Sequence, residues 1–176
     1  PLILSLEKVR ELFPAFNDWT DDKLNLKLCA VENAIRAYTN NKFHNRYYRN
    51  TADIIGGVVV SNELCAFTEG DTVEISYGRA KGLYTVKETS DFVFKVNENI
   101  PDAKDVVITK VEYPADVVYC AINILDWELN NRAKVGIQSE SLSRHSVTYF
   151  NYDSSNVMGY PSSLFGALQP YKKARC

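Results

Sequence analysis

Histidine is nearly missing from this chain: His44 and His145 are the two in 176 residues. Neither has cysteine or carboxylate neighbours at metal-ligand spacing, so no metal site is expected. His145 adjoins Ser146, but neighbours on an extended chain point to opposite faces, a poor arrangement for a nucleophile and its base. The four cysteines, Cys29, Cys65, Cys120 and Cys176, are scattered and form no Cys-x-x-Cys pair. Cys29 and Cys120 fall among apolar neighbours on expected helices, where cysteine serves as a small hydrophobe, in keeping with a reducing setting. The glycines at 56, 57, 78 and 82 lack the spacing and the Lys-Ser/Thr partner of a phosphate loop. No apolar run approaches the roughly 20 residues that span a bilayer. Pro1-Leu-Ile-Leu is too short for a secretory signal. Charge of one sign is lacking too: the formal net charge is -2, so strong attraction to nucleic acid is not expected. Glu11 and the pair Asp21-Asp22 read as helix-end charges rather than a catalytic pair. These absences leave no cofactor site and no enzyme to expect.

What is present is enough apolar material for a core. Hydrophobic residues make up 45% and charged residues 24%, which suits one ordinary domain or a helical body with a small domain inserted. Leu6, Val9, Leu12 and Phe13 form a helical stripe that Pro14 ends. Leu24, Leu28, Val31, Ile35 and Tyr38 then repeat at four-three-four-three spacing, one seam along a helix over 20–41 that opens at Thr20 and stops at Asn40-Asn41.

From residue 44 to 112 the character changes to β-branched and aromatic runs punctuated by Gly, Asn, Asp and Pro. The alternation in Thr72-Val73-Glu74-Ile75-Ser76 predicts a strand with one wet face. Five or six such strands suggest a small antiparallel barrel or sandwich. Arg46-Tyr47-Tyr48-Arg49 reads as a strand start with tyrosine inward and arginine outward; the sharper alternative is stacking on single-stranded nucleic acid. Pro114 opens a third helix carrying Val117, Val118, Ala121, Ile122, Leu125 and Leu129 on one side.

The fold class expected is therefore α+β. A helical body, with helix 20–41 packed on helix 113–132, carries an inserted antiparallel β barrel or sandwich and an extended C-terminal arm. The division is 1–43 for the N-terminal helices, 44–112 for the β-rich insert, 113–135 for the third helix and 136–176 for the arm with a short terminal helix. The stretch IQSESLSRHSVTYFNYDSSNVMGY, Ile137 to Tyr160, is rich in Ser, Asn and Tyr and poor in aliphatics. Ordering each residue costs about 1–2 kcal/mol, while a buried apolar side chain returns about 1.5–3 kcal/mol. Such an arm is expected to become ordered against a neighbour.

The runs SESLSRHSVTY (Ser139 to Tyr149), GYPSSLFGAL (Gly159 to Leu168) and YKKAR (Tyr171 to Arg175) resemble the C-terminal signature of head-tail connector (adaptor) proteins of long-tailed bacteriophages. The opening VRELFPAFNDWTDDKL, followed by a helix ending in AYTNNKF, is similar to the start of the same family. The resemblance implies a structural virion protein in the neck, assembled in the host cytoplasm as a homo-oligomeric, dodecameric ring under the portal protein. That ring would extend the channel for duplex DNA, without sequence-specific binding, and dock a stopper or tail-completion protein, with no membrane involved. Interface residues implied for the arm are Arg144, His145, Val147, Tyr149, Phe150, Tyr152 and Tyr160. For the terminal segment they are Leu164, Phe165, Leu168, Tyr171, Lys172 and Arg175. Some members of the family are almost wholly helical, so the β insert's contacts do not follow from the resemblance. Its sheet edges are candidates for pairing with a partner. Two other readings stand beside this one: a virion decoration module using the insert for a ligand or carbohydrate, and a single-stranded nucleic-acid binder.

Overall fold

A computed structural model of the chain describes residues 3–131, 139–142, 145–148 and 156–174. The first helix, α1 (Leu6–Leu12), starts where Ser5 Oγ accepts from Lys8 N at 3.2 Å. A 3-10 turn, Pro14–Phe16, places Phe16 edge-on to Trp19 with centroids 4.9 Å apart. Thr20 Oγ1 accepts from Lys23 N at the head of α2 (Asp21–Thr39), and Asn40 closes it in the left-handed region at φ 48°. The seam residues Leu24, Leu28, Val31 and Ile35 are fully buried.

The chain divides into two compact units. One runs Lys42–Tyr113; the other joins the chain before Lys42 to the chain after Tyr113. The first unit is a closed antiparallel barrel of β1 (His44–Ile55), β2 (Val58–Ser61), β3 (Thr72–Ile75), β4 (Gly82–Thr89), β5 (Val93–Val96) and β6 (Ala103–Val111). Its strand order is β1-β2-β5-β4-β3-β6, with β6 returning to β1. Gly56 and Gly57, at φ 59° and 79°, make the two-residue turn between β1 and β2 that matches strand twist. Phe67, Phe94, Ile54, Ile75, Val86 and Ile108 fill the interior, with Phe67 and Phe94 edge-to-face at 5.4 Å. A six-stranded barrel of this kind is packed by its own side chains.

The second unit adds α3 (Ala115–Asn131), the short ladders β7 (Ser139–Leu142) with β8 (His145–Thr148) and β9 (Asn156–Val157) with β10 (Tyr160–Pro161), and a 3-10 segment, Ser162–Tyr171. The β9–β10 turn uses Met158 and Gly159 at φ 53° and 83°.

The expected helical body, with helix 20–41 packed on helix 113–132 as its frame and the β region as a small insert, is corrected by this structure. The closed barrel is the main architectural element. The chief neighbour of α3 is the C-terminal 3-10 segment rather than α2. The physical reason is that the barrel closes on its own apolar core, while α3, with Cys120 and Ile124 buried, packs against the 3-10 segment of its own unit, where Phe165 and Leu168 are buried. Barrel closure also corrects the expectation of free sheet edges there. On β3, Glu74 is buried rather than wet: Lys42 Nζ donates to its carboxylate, and His44 Nε2 lies 3.2 Å away.

Candidate interaction surfaces

Three places answer to the sequence expectations: the C-terminal segment, the β7–β8 ladder and the Arg-Tyr run of β1. In the C-terminal segment, Phe165 and Leu168 have no exposed surface and Tyr160 is 8% exposed. Phe165 meets Tyr38 at 4.8 Å and Tyr160 at 6.1 Å, and Tyr160 stacks edge-on to Trp127 at 5.6 Å. Their spacing puts Phe165 and Leu168 on one face, since residues i and i+3 eclipse in a 3-10 helix. Tyr160, Phe165 and Leu168 were expected as contacts with another subunit; in this conformation they are core of the chain's own second unit. Burial of these three side chains offsets part of the segment's ordering cost, and hydrogen bonds to α2 and α3 add to that offset.

Polar contacts complete the anchor. Tyr160 Oη donates to Glu128 Oε1 at 2.7 Å, and Lys27 Nζ lies 2.8 Å from Glu128 Oε2. Cys120 Sγ donates to the Leu164 carbonyl at 3.1 Å, and burial pushes that thiol's pKa up to about 11. The end of α2 takes hold of the chain beyond: Asn41 Nδ2 donates to Tyr171 O, Asn40 Nδ2 to Ala174 O, and Lys173 N to Thr39 O at 2.8 Å. Tyr171 Oη donates to Asp116 Oδ2 at 3.1 Å; desolvation, then that hydrogen bond and charge, raise the phenol's pKa. Lys172 lies over the Tyr38 ring at 3.9 Å. Sequence reasoning took Asn40-Asn41 as a helix stop only. Their second function, clasping the tail, carries no local signal because its partners lie about 130 residues away.

The β7–β8 ladder pairs Ser139 with Thr148 through to Leu142 with His145. It joins no other sheet among the described residues. His145 and Val147 are strand residues of β8. Arg144, Tyr149, Phe150, Tyr152 and Arg175 fall outside the described residues. Leu164 is half-buried and Lys172 exposed.

The Arg-Tyr run departs from the alternating strand expected of it. Opposite β6, Asn45 pairs with Lys110 and Arg49 with Thr109, so Arg46, Tyr47 and Tyr48 form a three-residue bulge. Both tyrosines point out, Tyr47 being 97% exposed. Bulges re-aim side chains in this way.

Among the described residues no group of His, Cys, Asp or Glu could hold a metal ion, and no helix is long and apolar enough to cross a membrane. Several ionic side chains of the barrel are paired within it, Lys42 with Glu74, Lys95 with Glu88 and Lys110 with Asp71. Asp71 is the clearest: burial pushes its pKa up, but hydrogen bonds from Lys110 Nζ and from the Thr68 amide and hydroxyl, with the Lys110 charge, outweigh that and hold it below the usual range. No protein-family model matches the chain, and no curated protein matches it.

Proposed function

We propose that this protein is a structural head-tail connector, a ring-forming subunit that sits beneath a phage portal and continues its DNA channel. The observation that carries the reading is the solitary β7–β8 ladder. A two-stranded ladder of four residues a side is marginal in water by itself, because ordering its residues costs more than its few contacts return. Each of its strands keeps a row of main-chain donors and acceptors that no other described strand takes up. A neighbouring subunit supplies the missing strand or face by β-augmentation.

The resemblance of both chain ends to the connector family supports the same reading. So do two side chains on the helical unit: Leu26 on α2 is 74% exposed and Tyr119 on α3 is 63% exposed. In this reading they form side-to-side contacts around the ring. The C-terminal segment, anchored on its own helices, fixes the base from which residues 139–148 reach the neighbour. Net charge of -2 suits a channel wall along which duplex DNA slides without being held.

Electron microscopy and native mass spectrometry of the chain mixed with a portal protein test this. A ring of defined mass seated on the portal is expected. A chain that stays monomeric beside the portal, or that attaches normally once residues 139–148 are deleted, refutes it.

A further inference from the structure

The bulge on β1 is built, not merely irregular. At its start, Asn45 Oδ1 accepts from Tyr47 N at 3.2 Å, folding the chain outward, while Asn45 Nδ2 donates to Glu112 Oε2 at 2.7 Å. At its end, Arg49 Nε donates to Thr109 Oγ1 at 3.0 Å. Tyr48 sits with the Lys110 ammonium 5.3 Å from its ring centre, and that ammonium is held by Asp71 at 2.8 Å. Between these fixed points Tyr47 stands with both faces in water. Neither Arg46 nor Arg49 forms an ion pair among the described residues. Exposing a tyrosine ring this fully yields no packing energy within the chain, so packing does not explain its position.

From this geometry we infer that the Arg46–Arg49 bulge binds single-stranded nucleic acid, with Tyr47 stacking on an unpaired base and the two guanidinium groups meeting flanking phosphates. The charge complementarity is specific to the patch: the chain as a whole is weakly acidic, whereas its bulge presents two arginines beside the Asp71-bound Lys110, with Glu112 turned to Asn45. A planar aromatic between cations matches a strand whose bases and phosphates alternate. In a duplex the base faces are already stacked on one another, so Tyr47 would have no partner there. An acidic peptide would answer the arginines and leave the ring unused. Preformed turn contacts reduce the ordering cost on binding. This inference stands apart from the connector reading and survives its failure.

Fluorescence anisotropy of the full-length chain with labelled oligothymidylate at low salt, with a duplex of equal length and polyglutamate as competitors, tests it. Saturable binding is expected, competed by neither, with a log-log salt slope of about -1.4 if two phosphates are neutralised. Tyr47→Ala should weaken binding roughly 5- to 150-fold, and Arg46→Ala with Arg49→Ala should flatten the salt slope. Tyr77→Ala, at an exposed aromatic of the barrel outside the bulge, should leave affinity unchanged. Absent saturation, equal binding of duplex, effective competition by polyglutamate, or full affinity in a folded Tyr47→Ala protein would each overturn the proposal.

Discussion

Replacing Phe165 with alanine removes the largest buried side chain of the C-terminal segment. Phe165 has no exposed surface, and its ring contacts Tyr38 and Tyr160 at centroid distances of 4.8 and 6.1 Å. A fully buried Phe→Ala change costs about 3–5 kcal/mol through lost transfer energy and residual cavity. The two aromatic contacts favour the upper half of that span, since each such pair adds about 0.5–1.5 kcal/mol beyond area. The expected loss is therefore about 4 kcal/mol, a large part of the roughly 5–15 kcal/mol that holds an ordinary domain. With a urea m-value of about 2 kcal/mol/M, the midpoint of the helical unit's transition should fall by about 2 M. Trp127, whose ring neighbours Tyr160, provides a fluorescence signal local to the segment. Leu164→Ala, at a half-buried neighbour, is the control and should cost about 1 kcal/mol or less. If Phe165→Ala and Leu164→Ala cost the same small amount, the segment is not packed on α2 and α3, and its assignment to the core is wrong.

Glu128→Gln should destabilise by about 2–3 kcal/mol, because it strips a buried carboxylate from Lys27 while leaving Tyr160 an acceptor; Tyr160→Phe should cost about 1 kcal/mol by thermal or urea melts. Asp71→Asn should cost about 1–2 kcal/mol at pH 7. Since the folded pKa of Asp71 is depressed, its contribution is complete above the unfolded value of about 3.9 and disappears as pH falls through the folded value. The melting gap between wild type and Asp71→Asn should accordingly close in acid, and a gap that widens there would contradict the assignment. At pH 8, Cys120 should resist thiol reagents, being buried with a pKa near 11, while half-exposed Cys65 reacts; Phe165→Ala should speed Cys120 labelling about tenfold or more by opening its cover.

Local chemistry in the sequence carried much of the secondary structure. The four-three seam of α2 and its Thr20 and Asn40 ends follow from residues a few positions apart, and so they are legible one at a time. The β3 to β6 runs are equally plain because their inward residues alternate or cluster. Strand β1 was not, since its first half is exposed on both faces and broken by the bulge, which removes the period-two signal. An antiparallel barrel or sandwich was expected and a closed barrel is found; the choice between the two and the strand order lay beyond reach, because β6 pairs with both β1 and β3 in registers set by packing at long range. The arm's energy balance was drawn over too long a stretch: averaging Tyr160, Phe165 and Leu168 with the Ser-rich residues before them hid a segment that anchors itself. The bulge's composition was visible from Arg46 to Arg49, but its outward turn involves a hydrogen bond from the Tyr47 amide to Asn45 Oδ1 that composition does not reveal.

Amide hydrogen exchange across Ser139–Leu142 and His145–Thr148, followed in the free chain and in its complex with a portal, bears most directly on the assembly role. The account predicts rapid exchange there in the free chain and strong protection in the ring, while the amides of the Ser162–Tyr171 segment are protected in both. Equal protection of the β7–β8 ladder in isolated monomer and complex would mean that these strands need no neighbour, and the case for a ring subunit would fall with it.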